Sequence, residues 1–179
     1  RCRLLGQYRH GEEWTMDTLT AIGVRRSVRK YLKKPVPVKV LEKIVDAARL
    51  APTARNVQPW EFVVIADRER LQHVADLTDH GRFIADAGAC IAVYCRATKY
   101  YLEDGCAATE HILIAATALG VQSCWVAGDK KPYGAAISAF LGMPQDCNLI
   151  SLVALGYADG EVKEYPKRDV SKVLHWEKF

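Results

Sequence analysis

Long hydrophobic runs are missing from this sequence. No apolar stretch approaches the roughly 18 residues that cross a bilayer, so we expect no membrane-spanning helix. None of the six cysteines forms a Cys-x-x-Cys pair and no histidine is grouped with them, which argues against zinc and iron–sulfur sites. The positive charge is small and scattered. A net charge of +4 suits a small anionic ligand better than a nucleic-acid surface.

Motifs for catalysis by side chains are missing as well. The five histidines have no evident nucleophilic or acidic partners in the sequence, so no Ser-His-Asp or Cys-His arrangement is predicted. No glycine-rich dinucleotide fingerprint is present. The sequence therefore offers no side chain as a catalytic nucleophile or base.

The chain is long enough for one domain with a sizeable core, at 179 residues of which 50% are hydrophobic. Most cysteines sit among apolar residues, where a free thiol behaves as a small hydrophobe. We therefore expect reduced cysteines and a cytoplasmic location. Residues 1–15 are polar and lack the apolar core of a signal peptide. We expect them to be an extension or a loosely attached arm, with the functional domain beginning near Met16.

Hydrophobic periodicity predicts the secondary structure. Apolar residues repeat at helical spacing between Val38 and Leu50, and aromatic and β-branched residues dominate Trp60 to Ala66. Asp67 can cap the helix that follows, and Gly120 can end the longest one. We expect helices over 17–24, 38–50, 68–77, 101–119 and 132–141, and strands over 60–66, 90–96, 121–126 and 149–157. Helices and strands interleave without strict βαβ repeats, which favours an α+β or three-layer sandwich with four or five strands.

Three arginines and a serine fall within five residues, in the run Arg25-Arg26-Ser27-Val28-Arg29. The planar guanidinium group binds phosphate through two parallel charge-assisted hydrogen bonds. The run therefore suggests a phosphate ester as ligand, although a basic cluster is also typical of a solvated face. Lys167 and Arg168 form a further basic pair near the C-terminus. They could return to the same phosphate or belong to a solvated end.

Two further segments have the composition of a ligand site. The loop from Ala51 to Trp60 is dense in amide, hydroxyl and guanidinium groups and directly precedes a predicted strand. Its amides suit the edge of a heterocycle, although a capped turn stiffened by prolines is the simpler alternative. The segment Ser123–Lys130 ends a predicted strand in small residues, where backbone N–H groups can approach a ligand closely.

Together these motifs resemble the nitroreductase family of FMN-dependent flavoproteins. The resemblance rests on the order Arg-Arg-Ser-x-Arg, Ala-Pro-Thr-Ala-x-Asn-x-Gln-Pro-Trp, Ala-Ala-Thr-Ala-Leu-Gly, Trp-Val-Ala-Gly and a basic tail, and it spans about residues 16–176. It implies a three-layer α/β/α sandwich with a mixed, mainly antiparallel sheet. It also implies an intertwined homodimer that binds FMN at the subunit interface and takes electrons from NADH or NADPH.

The resemblance also assigns residues to the flavin, and it assigns no metal ligand. The phosphate and ribityl chain would be held by Arg25, Arg26, Ser27 and Arg29, with charge added by Lys167 or Arg168. The other subunit would line the flavin with Pro52, Thr53, Ala54, Asn56 and Gln58. The backbone of Trp125, Val126, Ala127 and Gly128 would face the reactive edge, where an N–H near Ala127 would donate to flavin N5.

The implied activity is hydride transfer from NAD(P)H through flavin N5 to an electrophilic acceptor, such as a nitroaromatic or a quinone, by a ping-pong cycle. Such catalysis depends on the cofactor and needs no side-chain nucleophile. The compact segment 77–88 departs from larger members of the family, which leaves the substrate preference open. A non-catalytic flavin-binding or redox-sensing module is the alternative, as is a related reaction such as reductive dehalogenation, enoate reduction or flavin breakdown.

Overall fold

The computed structural model describes residues 7–10 and 13–179. Within them the chain forms six strands and five helices. The strands are β1 (Gln7–His10), β2 (Glu13–Met16), β3 (Trp60–Ile65), β4 (Ala89–Arg96), β5 (Gln122–Ala127) and β6 (Cys147–Gly156). The helices are α1 (Thr18–Val24), α2 (Val38–Ala48), α3 (Arg68–Leu77), α4 (Tyr101–Ala118) and α5 (Gly134–Leu141). None of these helices is long and apolar enough to cross a membrane.

The main sheet has four strands in the order β3-β4-β6-β5, and every neighbouring pair is antiparallel. In the part of the chain that the structure describes, the parallel pairing that we expected in a mixed sheet occurs as one isolated bridge, between Ser27 and Ser123. This bridge lies beside β5, an edge strand of the sheet. The segment that follows α1 therefore runs along the outside of β5.

Helices cover both faces of the sheet, which makes the molecule the expected three-layer α/β/α sandwich. On one face, α2 and α4 pack against alternate residues of β4 such as Ile91 and Val93. On the other face, α3 and α5 pack against Cys90, Ala92 and Tyr94. Successive strand residues point to opposite faces, so burial of both sets explains why β4 is apolar along almost its whole length.

The helix boundaries follow local chemistry. The side chain of Asp67 accepts a hydrogen bond from Arg70 N–H at 3.0 Å and caps α3 as predicted. Gly120, which has a φ of +74°, follows the end of α4. Two expected boundaries were too generous, because α2 ends at Ala48 rather than Leu50 and α5 begins at Gly134 rather than Pro132.

The N-terminal segment contains a pairing that the sequence did not suggest. Strands β1 and β2 form an antiparallel hairpin in which Gln7 pairs with Met16. Residues 1–6 and 11–12 lie outside the described part of the chain. Whether residues 1–15 are an extension to a domain that begins near Met16 stays a prediction.

Candidate functional site

The arginine motif lies on the outer edge of the sheet. Helix α1 ends at Val24, and the chain becomes extended from its C-cap, Arg25. Val28 N–H donates to the Ser123 carbonyl at 3.0 Å, which fixes the motif beside β5. A cleft of about 470 Å³ opens here, between residues 27–30 and residues 158–165. The motif therefore borders an open, ligand-sized space.

The arginines of the motif have different surroundings. Arg26 turns toward its own chain, where its Nη1 donates to the carbonyls of Gly23 and Arg25 and its Nη2 pairs with Glu164 at 3.2 Å. Arg29 is exposed, with its guanidinium carbon 6.0 Å from the centre of the Phe83 ring. Arg26 therefore serves the local fold, while Arg29 is available to an anion.

The buried thiol of Cys124 lies within reach of the other members of the motif. Burial raises the pKa of this thiol, and three neighbours oppose the rise: the charge of Arg29, a hydrogen bond with Ser27 and the charge of Arg25. Arg25, Ser27 and Arg29 therefore lie close enough to β5 to act on this thiol. The sequence had grouped these three residues together with Arg26.

The polar loop before β3 has an unusual backbone. Ala54–Asn56 form a short 3-10 turn, and Arg55, Asn56 and Gln58 have φ values of 56°, 56° and 52°. Such left-handed values are uncommon for residues other than glycine. The Gln58 Nε2 donates to the Asn56 Oδ1 at 3.1 Å. Pro52, Asn56 and Gln58 are exposed, and Thr53 and Ala54 are half-buried.

Asp104, which the sequence analysis missed, holds this loop. Its buried carboxylate, in the first turn of α4, accepts from Thr53 Oγ1 at 2.8 Å and from Ala54 N–H at 3.0 Å. Helix α4 holds three carboxylates, Glu103, Asp104 and Glu110, and the sequence does not distinguish Asp104, whose burial requires hydrogen-bonding partners. The loop is thus attached to the central helix by two charge-assisted hydrogen bonds.

The turn after β5 is shaped by a bulge in β6. Val93 pairs with Ser151 and Tyr94 with Leu149, so Ile150 is the extra residue. Its carbonyl accepts from the N–H groups of both Gly128 and Asp129, at 3.0 and 3.2 Å. A Cβ on Gly128 would lie 2.6 Å from Leu149 Cγ and 2.9 Å from the Ile150 carbonyl carbon. Only glycine fits at this position without movement of β6.

The backbone of Ala127 faces outward from the edge of the sheet. Bonding alternates along an antiparallel ladder. Because Gly128 N–H bonds to β6, the N–H and C=O of Ala127 point away from that strand. The Tyr133 hydroxyl donates to the Ala127 carbonyl. Val126 is buried, Trp125 half-buried and Ala127 exposed. The Ala127 N–H is therefore presented where a ligand can accept it.

The first turn of α4 also reaches the turn after β5. The Tyr101 hydroxyl donates to Asp129 Oδ1 at 3.0 Å, and this hydrogen bond raises the pKa of Tyr101. One helix end therefore positions both the polar loop, through Asp104, and the turn. The sequence had treated these segments as separate.

The fold does not fix the C-terminal basic pair, Lys167 and Arg168, against the arginine motif. Lys167 and Arg168 are exposed, and the described residues give them no hydrogen bond or ion pair with the arginine motif. Glu164, three residues earlier, does reach Arg26. The segment therefore passes the motif. The described residues hold no group of three His, Cys, Asp or Glu side chains suited to a metal ion.

The three-layer sandwich, the arginine motif beside an open cleft and the outward-facing backbone N–H of Ala127 define an α+β protein with a candidate ligand site at the edge of its sheet. The Nitroreductase family model matches residues 22–82. A protein of Archaeoglobus fulgidus, whose name proposes NADH dehydrogenase/NAD(P)H nitroreductase activity, is 36% identical over 160 residues, which cover 86% of this chain and 92% of that protein. The chain belongs to the nitroreductase family.

Solved structures have the same fold. A protein of Bacteroides thetaiotaomicron with a similar proposed activity superposes with a TM-score of 0.85 at 27% identity, covering 90% of this chain and 98% of its own. A Clostridium difficile protein named as an FMN-dependent nitroreductase gives 0.84 at 29% identity, covering 89% and 98%. The expected nitroreductase-like α+β fold is therefore confirmed.

Proposed function

We propose that this protein is an FMN-dependent oxidoreductase that takes electrons from NADH or NADPH and reduces an electrophilic acceptor, such as a nitroaromatic or a quinone, in a ping-pong cycle. The names of the A. fulgidus and C. difficile relatives support the donor and the cofactor. The chemistry that FMN supplies when bound is acceptance of a hydride from reduced nicotinamide and delivery of two electrons to an acceptor. The protein contributes binding, orientation and hydrogen-bond donors.

The arginine motif is proposed to hold the phosphate. Arg25, Ser27 and Arg29 all act on the Cys124 thiol, and Ser27 and Arg29 line an open cleft, an arrangement that fits a dianionic phosphate ester. Arg26 supports the motif through its bonds to Gly23 and Glu164. Lys167 or Arg168 would add positive charge, because the preceding residues pass beside the same cleft.

The outward N–H of Ala127 is the observation that carries the proposal. It lies at the free edge of β5, in a turn fixed by Ile150 and by the close fit of Gly128. We assign it as the donor to flavin N5. Trp125, Val126 and Gly128 would line the same edge of the ring through their backbone. A backbone donor in a rigid turn needs no reorganisation when charge develops on its partner.

We further propose a homodimer in which one subunit binds the phosphate and the other contributes Pro52, Thr53, Ala54, Asn56 and Gln58 to the flavin ring. Exposed apolar side chains on α1 support an interface there, since Leu19 is 80% exposed and Ile22 is 50% exposed. Leu174 and Trp176 are likewise exposed near the C-terminus. These surfaces are suited to burial against a second copy.

A spectrum of the purified protein tests the proposed function. We expect the two absorption bands of oxidised flavin, which NADH or NADPH should bleach in the absence of air. Addition of a nitroaromatic or a quinone should then restore the bands. A colourless protein that takes up no added FMN would refute the proposal. Steady-state turnover with both nucleotides separates an enzyme from a non-catalytic flavin module, which would show flavin bands and negligible rates.

A further inference from the structure

We propose that a small cleft beside the polar loop before β3 is the site where the electron acceptor binds. We further propose that Arg55 and Lys99 make this subsite selective for small aromatic carboxylates. This inference rests on the proposed function, because it names the substrate class of that site. The cleft lies between the polar loop and the connection from β4 to α4. Its lining residues are Ala54, Arg55, Val57, Thr98, Lys99, Tyr100 and Asp104.

The size of the cleft suits a single ring. Its volume is about 160 Å³, and a protein cavity of about 150 Å³ is sufficient for benzene. Sites for larger organic ligands are typically about 300–1,000 Å³. The cleft includes Ala54, which we assign to the flavin ring, so a molecule bound here would lie next to the cofactor.

The charge of the cleft favours an anion. Arg55 and Lys99 are exposed cations, and neither forms an ion pair with another residue in the described part of the chain. Asp104 also lines the cleft, but both of its oxygens accept hydrogen bonds from Thr53 and Ala54. A guanidinium fork binds a carboxylate through two parallel bonds, and the ammonium group adds a second charge.

The backbone at Arg55 is strained, and a nearby hydroxyl is unpaired. Arg55 has a φ of 56° within a loop that holds two more left-handed residues, Asn56 and Gln58. Strain of this kind persists where the surrounding structure imposes it and is common at ligand sites. The Thr98 hydroxyl oxygen is buried and makes no hydrogen bond with any residue that the structure describes. The strained backbone supports a ligand site at Arg55, which borders the cleft.

Two neighbours can contact an aromatic ring. Tyr100 is 39% exposed and Val57 is 52% exposed, and both border the cleft. The ammonium nitrogen of Lys99 lies 5.1 Å from the centre of the Tyr100 ring. A benzoate-like molecule can therefore place its ring against Tyr100 and Val57 while its carboxylate meets Arg55 and Lys99.

Reduction of such an acceptor needs no reactant other than NAD(P)H and a proton. For 4-nitrobenzoate, the nitro group and NAD(P)H with one proton give the nitroso group, NAD(P)⁺ and water. The nitrogen gains two electrons, which leave the nicotinamide as a hydride, and one nitro oxygen departs in the water. The carboxylate is unchanged, so its contribution is to binding.

The test compares 4-nitrobenzoate with its uncharged methyl ester in the flavin-loaded protein. The variants are Arg55→Asn, chosen because asparagine adopts positive φ more readily than most residues, and Lys99→Gln. Loss of one charge-assisted contact should raise the KM for 4-nitrobenzoate about tenfold or more. The KM for the methyl ester should change less than about twofold, since the ester carries no charge. Lys39→Gln, on the exposed face of α2, is the matched control.

Calorimetric titration with 4-nitrobenzoate, without electron donor, supplies a second readout. We expect binding to weaken by the same factor in Arg55→Asn and Lys99→Gln and to be unaffected in Lys39→Gln. If all variants kept their flavin and their activity on the methyl ester, equal KM values and equal binding of 4-nitrobenzoate would overturn the inference. If flavin and turnover were absent, the proposed function would fail separately. The titration would still test the proposed subsite, and an absence of 4-nitrobenzoate binding would overturn the inference.

Discussion

The Thr53 hydroxyl donates a hydrogen bond to Asp104 at 2.8 Å and so joins the polar loop before β3 to the first turn of α4. The same carboxylate accepts the Ala54 N–H at 3.0 Å. One side chain therefore satisfies two polar groups of a loop that carries three left-handed residues. These two bonds attach the strained loop to the buried carboxylate of α4.

Replacement Asp104→Asn should loosen this attachment. An amide has one acceptor oxygen in place of two, so at least one buried donor loses its charged partner. We expect the free energy of unfolding to fall by about 1–3 kcal/mol and the affinity for FMN to fall with it. Urea unfolding and flavin fluorescence titration measure the two effects. Thr53→Val removes one of the two bonds to Asp104 and also the exposed bond from Gln58 N–H to the hydroxyl at 3.2 Å, so it should lower stability as well; equal stability of all three proteins would contradict the assignment.

Replacement Gly128→Ala should disturb the turn that presents the Ala127 N–H. The new Cβ would meet backbone and side-chain atoms of β6 at 2.6–3.0 Å, so the turn or the strand must move. Overpacking of this kind costs about 1–3 kcal/mol. We expect lower thermal stability and a reduced kcat with bound flavin, measured by calorimetry and steady-state kinetics.

Gly134→Ala is the control for that variant. Its Cβ would meet only the Gly128 carbonyl oxygen, at an ordinary distance of 3.6 Å. A residue with a side chain is favourable in a helix, so we expect unchanged or slightly higher stability. Equal damage from Gly128→Ala and Gly134→Ala would show that close approach to β6 is not the reason for the glycine.

The double variant Arg25→Ala/Arg29→Ala should lose flavin. Each charge-assisted contact to a phosphate contributes roughly 1.5–3 kcal/mol, or about ten- to a hundredfold in affinity. The flavin dissociation constant, measured by fluorescence quenching, should therefore rise at least tenfold. Riboflavin, which lacks the phosphate, should bind wild type and variant alike. Unchanged FMN retention would show that the motif is a solvated face.

Replacement Leu19→Lys should weaken the proposed dimer. Burial of an exposed leucine side chain is worth about 1.5–3 kcal/mol, so the dissociation constant of the dimer should rise at least tenfold. Light scattering over a range of concentrations gives the constant. Gln72→Lys introduces the same charge on α3 and should leave it unaltered. A wild-type protein that stays monomeric at high concentration with bound FMN would contradict the interface.

The buried thiol of Cys90 should make the fold sensitive to alkali. Burial raises the pKa of Cys90 from 9.0 to about 12. Above pH 9 the unfolded chain therefore releases a proton that the folded chain retains, and stability falls as pH rises. The slope for one such group is about 1.4 kcal/mol per pH unit. Unfolding measured between pH 8 and 10.5 should show a shallower decline in Cys90→Ala; parallel slopes would contradict this.

Local sequence was sufficient for most of the fold. The caps at Asp67 and Gly120 and the continuous apolar run of β4 are determined within a few residues, so their elements were predicted closely. The pairing of Ser27 with Ser123 joins segments almost a hundred positions apart. Hydrophobic periodicity carries no information on a contact between distant segments. The sequence therefore could not predict that the main sheet is antiparallel and that parallel pairing occurs at this bridge.

The candidate site shows the same difference between features that are local in sequence and features that depend on distant contacts. The arginine motif, the polar loop and the Ala127 turn were found as motifs because each is continuous in the chain. Asp104, Tyr101 and the Ile150 bulge were missed, because each acts on a segment distant in sequence. Their roles depend on where α4 begins relative to the sheet. Arg26 was grouped with the phosphate ligands, whereas its bonds to Gly23 and Glu164 depend on a turn and on the tail.

Strand β5 ends the sheet on one side, and only part of its outer rim is covered by the chain itself. An uncovered rim is a template onto which another molecule's strand can add, and proteins that leave one open tend to aggregate. Val28 protects the rim at Ser123. At Ala127, any ligand that accepts the outward N–H protects the remainder. A flavin bound as proposed would therefore cover backbone at the end of β5 that this chain leaves open to another strand.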